Sequence, residues 1–394
     1  MYIIGVVPIH TKGSTPLKCG EIKKGGLDIA ETIRFAVKEA KSKPEANIGI
    51  VIIDSCNDPQ IIQEKILTLH RFGVYVKDRY IPIGDKILGY IGGWSSDVSK
   101  AVADIISRLE YPQISYASTA PILSDRSIYP YFLRTPIPDG KQAETILKIV
   151  ERLQGNFIQI VHSEGAYGEG GRDLLLDYIR NGKFDMCVSQ TISFKTDTNG
   201  TDVLSKLRKF SKAHIVVLFL GSFDVVQLFK TFNMIDRNEF LFISSEGWGT
   251  RFDVELYRKL NGCITVTSQL NVNEKLKDHF ASLKPDRSNI NQWIRPYMEK
   301  EFDCYFEWSY DKRSRKKCKE NVSLNVFTTD FRLDAWSPFV ERGVIALLSS
   351  AETTLREKCD GNTTELCDAY KASPEYVSSE NKLKILQITH GTHL

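Results

Sequence analysis

Ser95, Ser96, Ser118 and Thr119 are small hydroxyl residues placed where short apolar runs stop, and this placement is the first chemical signal in the chain. Residues 113–116 read as a strand that breaks into Ser118 and Thr119, and residues 87–91 as a strand followed by Gly92-Gly93-Trp94-Ser95-Ser96-Asp97. In an open α/β sheet, ligands collect beyond the carboxyl ends of the strands. A helix pattern beginning near Val98 adds free N–H groups and the positive end of a helix dipole, which suit a carboxylate. The plainer role of a serine there is to cap the helix. Three further residues come from the second half of the pattern: Asp139 at a helix start, Tyr167 in HSEGAYGEGG, and Glu246 at the end of a strand pattern. Taken singly they read as a cap, a packed aromatic and a solvated acid. Together they offer two carboxylates and an aromatic face, which suit an ammonium group. A carboxylate receptor in one half and an ammonium receptor in the other would bind an α-amino acid.

The elements that must position these groups alternate between strand and helix. Strands are expected at 2–9, 48–53, 87–91 and 113–116, with helices at 27–41, 61–71 and 98–109 between them. After Pro136, Pro138 and Asp139 the pattern restarts: helices at 142–153, 170–179, 203–210 and 223–232 alternate with strands at 157–162, 186–194, 215–220 and 239–244. Such alternation implies βα units and parallel sheets. The run 264–268 is read as the return to the first lobe, followed by helices at 276–283, 292–301 and 340–355. The expected domains are a first lobe of residues 1–138 plus 270–394 and a second lobe of 139–269, joined as a hinged clamshell.

With 394 residues, 42% of them hydrophobic and 26% charged, the chain has an ordinary globular composition. A formal charge of +3 gives no electrostatic case for nucleic acid. The apolar runs are too short to cross a bilayer, and the first residues read as a strand rather than a leader. The glycine-rich stretch 165–171 is G-x-x-G-x-G-G and departs from the dinucleotide fingerprint. There is no P-loop and no G-x-S-x-G elbow, so catalysis is not expected, nor is a cofactor. The eight cysteines form no C-x-x-C pair, which leaves disulfides or buried thiols rather than a metal. Sequons at Asn199, Asn321 and Asn362 lie in polar stretches. Two of them lie in or beside cysteine-bracketed loops, which favours an oxidising, extracellular setting.

The strings SEGAYGEGG, YASTAPILSD, YPYFLRTPIPD and FISSEGWG resemble the extracellular Venus-flytrap module of class C G-protein-coupled receptors, in the metabotropic glutamate receptor branch. The likeness runs over roughly residues 2–369. It implies an α/β, two-lobed fold of the periplasmic-binding-protein-like type I class, each lobe a doubly wound, mostly parallel sheet flanked by helices. It implies that Ser96 and Thr119, beside Ser95, Ala117 and Ser118, hold a ligand carboxylate, while Thr119, Asp139, Tyr167 and Glu246 hold its ammonium. It pairs Cys19 with Cys56, Cys304 with Cys318 and Cys359 with Cys367, and leaves Cys187 and Cys263 as buried thiols.

The departures from the family point to specificity. Glutamate receptors hold the distal carboxylate with an arginine and a lysine, whose positions correspond here to Ile29 and Trp336; Arg251 is a third candidate for the distal pocket. Losing charge-assisted hydrogen bonds worth ~1.5–3 kcal/mol each would cost glutamate orders of magnitude in affinity. A neutral, apolar or unusual α-amino acid is therefore expected. The family's loop with an intersubunit cysteine is missing, so a non-covalent homo- or heterodimer through the helices at 61–71 and 98–109 is expected by analogy. A G protein would be reached only through a membrane region outside this chain. A free-standing soluble binder or decoy with the same fold is the alternative, and a degenerate module signalling through a partner is a third reading.

Overall fold

The computed structural model describes residues 1–40, 48–76, 78–195, 198–230, 239–249, 262–268, 271, 273–283, 291–307, 316–319, 333–359 and 367. Its strands are β1 (Tyr2–Val7), β2 (His10–Lys12), β3 (Cys19–Ile22), β4 (Gly49–Asp54), β5 (Val74–Val76), β6 (Arg79–Ile81), β7 (Ile87–Ile91), β8 (Gln113–Ser115), β9 (Phe132–Arg134), β10 (Phe157–Ser163), β11 (Cys187–Phe194), β12 (Ile215–Phe219), β13 (Leu241–Ser244), β14 (Ile264–Thr265), β15 (Cys304–Tyr305) and β16 (Lys316–Lys317). The α-helices are α1 (Lys24–Ala40), α2 (Pro59–Phe72), α3 (Ser96–Ile106), α4 (Asp139–Arg152), α5 (Ala166–Arg180), α6 (Gly200–Arg208), α7 (Ser222–Lys230), α8 (Glu274–Ser282), α9 (Ile294–Glu301) and α10 (Ser337–Lys358).

By contact the chain divides into two units. The first comprises Met1–Ala117, Tyr129–Thr135 and Leu270–Leu394, and the second comprises Ser118–Ile128 and Pro136–Gln269. Ser118, Thr119 and the prolines before Asp139 thus group with the second unit.

The first unit is built on a parallel sheet of order β4-β1-β7-β8-β9. Alternation along β1 splits its side chains between two cores. Ile3 and Val7 pack with Ile33 and Val37 of α1 and with Val340, Val344 and Leu347 of α10. Ile4 and Val6 pack with Ile62, Ile66 and Leu69 of α2 and with Val98, Val102 and Ile106 of α3. The apolar faces of α2 and α3 are therefore buried in the unit's own core. Leu67 and Leu109 remain exposed beyond them.

The second unit repeats the plan, with a parallel sheet of order β11-β10-β12-β13-β14. Along β12, Val217 and Phe219 face α4 and α5. Val216 and Leu218 face α6 and α7. The run expected to return the chain to the first lobe contains instead the edge strand β14, because its backbone pairs with β13 at Ile243–Ile264 and Ser244–Thr265.

Helix α5 starts at Ala166, one residue before Tyr167 and four before the periodic stretch read at 170–179, despite three glycines in its first six residues. Those glycines let it lie close to the sheet. A Cβ on Gly171 would sit 2.1 Å from the Phe219 ring, and one on Gly168 would sit 2.2 Å from the Ser163 carbonyl oxygen. The glycine-rich stretch is a packing device, which accounts for its departure from the dinucleotide pattern. The hairpin β5–β6, between the helix read at 61–71 and the strand read at 87–91, is not anticipated by the sequence reading. Its alternation covers only three residues per strand, too few to be distinguished from a loop.

Candidate functional site

In the second unit, Thr119, Asp139, Tyr167 and Glu246 belong to one hydrogen-bonded constellation. The Asp139 N–H donates to the Thr119 carbonyl at 3.0 Å, so the first residue of α4 is tied to the segment that follows β8. Asp139 is fully buried. Its carboxylate lies at a helix N-terminus, where the dipole stabilises negative charge. Gln142, one turn along the helix, donates from Nε2 to Asp139 Oδ1 at 2.8 Å. The Oε1 of the same amide accepts the Glu246 N–H at 3.0 Å.

Glu246 follows β13, where Gly247 makes a close passage past the Leu220 carbonyl oxygen. Ser222, at the start of α7, donates to the Gly247 carbonyl at 2.6 Å and fixes that turn from its other side. Tyr167 reaches the same loop from α5. Its hydroxyl donates to Ser245 Oγ at 2.8 Å and accepts the Gly247 N–H at 3.3 Å. Its ring packs against Phe219 with centroids 5.0 Å apart. Burial drives the Tyr167 phenol well above its ordinary range, and the Glu246 and Asp139 carboxylates push it further. Both acids therefore act on one phenol, and the ring stays neutral at any physiological pH.

Thr119 is 1% exposed, and its Oγ1 is buried with no hydrogen-bond partner among the described residues. A buried hydroxyl left so costs ~1–3 kcal/mol. Folded chains tolerate such a cost mainly where a ligand or water completes the bond.

In the first unit, Ser95 is the N-cap of α3, its Oγ accepting the Val98 N–H at 3.4 Å. Ser96 is buried in the first turn. The loop before them is held from three sides. Gln113 Nε2 donates to the Gly92 carbonyl at 2.8 Å, Ser115 Oγ donates to the Gly93 carbonyl at 3.0 Å, and Ser99 Oγ accepts the Gly93 N–H at 2.8 Å. Ser115 Oγ also accepts the Ala117 N–H at 3.3 Å, so one hydroxyl sets both strand-end loops. Ser118 is fully buried and groups with the second unit.

The distal candidates fall differently. Ile29 is fully buried in the apolar core of α1, β1 and α10. Trp336 precedes α10 and packs on Phe339 at 5.3 Å. Near these residues Lys24 is paired with Asp28 at 2.6 Å, and Asp28 also accepts the Asp334 N–H at 3.1 Å. Burial, with the Asp28 charge beside it, pushes Asp334 up to about 7 against the pull of the Trp336 N–H and the Lys24 and Lys23 charges. Arg251, Asn321 and Asn362 lie outside the described residues. Asn199 is exposed and caps α6, its Oδ1 accepting the Thr201 N–H at 3.1 Å.

Disulfides join Cys19 to Cys56, Cys304 to Cys318 and Cys359 to Cys367, as the family resemblance implies. Cys187 is exposed and Cys263 half-buried, where burial of both was expected. Cys187 opens the edge strand β11, which leaves its side chain uncovered. Cys19, Asp54 and Cys56 bring metal-type ligand atoms together among the described residues, but the two sulfurs are already joined.

Sequence reasoning missed Gln142, Ser245 and Ser115. Gln142 had a signal, since an acid followed three residues later by glutamine at a helix start is the spacing at which the two side chains meet. Ser245 and Ser115 had none, because Tyr167 and Gly93, which they join to the site, are distant from them in the chain.

The description "Receptor family ligand binding region" fits residues 28–390. Metabotropic glutamate receptor 4 of Macaca fascicularis is 26% identical over 384 residues, covering 92% of this chain and 41% of the receptor. Metabotropic glutamate receptor 8 of Rattus norvegicus is 27% identical over 384 residues, covering 91% and 42%. The chain thus spans about two fifths of the length of these relatives. The match over nearly the whole sequence, with two parallel five-stranded sheets of the periplasmic-binding-protein-like type I fold, places the chain in the receptor ligand-binding-region family, similar to the extracellular domains of class C G-protein-coupled receptors.

Proposed function

We propose that the chain binds an α-amino acid, without catalysis, and takes its ammonium group on Thr119, Asp139, Tyr167 and Glu246. The observation that carries this reading is the buried Thr119 Oγ1, lacking a hydrogen-bond partner among the described residues, on the segment whose carbonyl takes the Asp139 N–H. A primary ammonium supplies a donor for that oxygen and sets one positive charge against the two acids. The neutral Tyr167 ring offers its face to the cation. Ser95, Ser96, Ala117 and Ser118 are assigned to the carboxylate, on the strength of the rigidly held loop and the α3 N-terminus.

Glutamate is not the preferred ligand in this reading. Neither Ile29 nor Trp336 carries the positive charge a distal carboxylate needs, and Lys24 is engaged by Asp28. Three disulfides support an oxidising setting. The proposal extends to the extracellular side of a plasma membrane, with signalling through a receptor as the relatives' names suggest. No helix among the described residues is long and apolar enough to cross a membrane. A non-covalent dimer and any G-protein coupling are further proposals, resting on family likeness alone.

A thermal-shift screen against the twenty proteinogenic amino acids tests the proposal. A ligand at 100 times its dissociation constant adds ~2.7 kcal/mol of stability. Hits among neutral amino acids, lost in Thr119→Ala and Asp139→Asn variants that still melt cooperatively, are expected. Absence of any hit, or variants that respond like the wild type, would falsify the assignment.

A further inference from the structure

We infer that Gln142 is the positioning residue of the ammonium receptor: its single amide sets the spacing of Asp139 and Glu246. The inference rests on the amino-acid reading above and names a residue that reading does not use. Gln142 is 4% exposed, and both ends of its amide are engaged. Nε2 donates to Asp139 Oδ1 at 2.8 Å, and Oε1 accepts the backbone N–H of Glu246 at 3.0 Å, 104 residues away in the chain. These partners fix the orientation of the amide, since a carboxylate oxygen only accepts and an N–H only donates.

The Glu246 and Asp139 carboxylates both act on the Tyr167 phenol, so the receptor depends on how these two acids are held relative to that ring. The Gln142 amide ties the segments that carry them. Its N–H fixes the orientation of the Asp139 carboxylate. Its carbonyl fastens the Glu246 backbone so that the loop after β13 cannot drift from α4. No other uncharged side chain of this length does both. Leucine does neither, and an ionised glutamate accepts from Glu246 but has nothing to donate to Asp139.

The test uses the whole chain in three forms, wild type, Gln142→Leu and Gln142→Glu, with two readouts. The first, which needs no ligand, is hydrogen exchange at the Glu246 amide. Exchange about tenfold faster in the Leu variant is expected, the size of one lost buried hydrogen bond, with protection retained in the Glu variant. The second is the affinity for whichever of the twenty proteinogenic amino acids stabilises the wild type. The Leu variant is expected to bind about tenfold more weakly at every pH. The Glu variant is expected to bind weakly at alkaline pH and to recover in mildly acid solution, where its new carboxyl gains a proton and donates to Asp139. A residue that merely fills space would produce no such pH dependence. Unchanged Glu246 exchange or unchanged affinity in the Leu variant overturns the inference alone. A wild type stabilised by none of the amino acids overturns the amino-acid reading and this inference with it.

Discussion

The Tyr167 hydroxyl donates to Ser245 Oγ across 2.8 Å, and this bond fastens the first turn of α5 to the loop that carries Glu246. The same oxygen accepts the Gly247 N–H. Replacing Tyr167 with Phe keeps the ring against Phe219 but strips both partners. The expected loss is on the order of 1–2 kcal/mol, read as a drop of several degrees in the second unit's thermal transition. Amino-acid binding should weaken as well, because Glu246 loses one of its supports. Unaltered melting in the Phe variant would show that the bond is incidental.

Gly171 makes an opposite kind of prediction. Alanine in a helix interior gains ~1 kcal/mol over glycine from propensity alone. Against this, the added methyl would sit 2.1 Å from the Phe219 ring. Overpacking of a tight core costs ~1–3 kcal/mol. Gly171→Ala should therefore lower the midpoint of urea unfolding, with packing outweighing propensity. A stabilised variant would mean that α5 can lift from the sheet at little cost.

Asp334 gives the fold a signature in pH. Burial pushes its carboxyl up to about 7 from the ordinary aspartate value of about 3.8, so between those values the folded chain binds a proton that the unfolded chain has lost. Stability therefore falls as pH rises through this window, and the loss is complete above the folded value. Asp334→Asn keeps an oxygen to accept the Trp336 N–H, which Oδ1 takes at 3.0 Å, and removes the titration. Relative to wild type, the variant should gain stability from pH 4 to pH 7 and hold a constant advantage beyond. A difference that does not change with pH would contradict the assignment.

Much of the architecture is legible in the sequence because doubly wound sheets write themselves as short apolar runs between helix-period stretches. β7 is read at 87–91 and found there, and α3, read from Val98, begins two residues earlier at Ser96. The failures have physical causes. The helical periodicity read at 170–179 starts later than α5 itself, whose first turns carry glycines in place of apolar residues, and the missing Cβ of Gly171 admits Phe219. The two residues of β14 carry no periodicity of their own, and only pairing with β13 makes them a strand. The acids and Tyr167 could be named from family strings. Their coupling through Gln142 and Ser245 could not, since it depends on contacts such as the one spanning 104 residues. The distal residues are the reverse case. Ile29 could be named from its position, but only the fold shows it packed in an apolar core.

The most direct test of the central claim is a calorimetric titration that compares an amino acid with its N-acetyl derivative, using the neutral amino acid that most stabilises the chain. Acetylation removes the ammonium charge and two of its donors while leaving the carboxylate and side chain unchanged. The account predicts measurable binding of the free amino acid and none of the acetylated form. Equal affinity for the two would mean that Asp139 and Glu246 do not receive an ammonium group, and the proposed function would have to be abandoned.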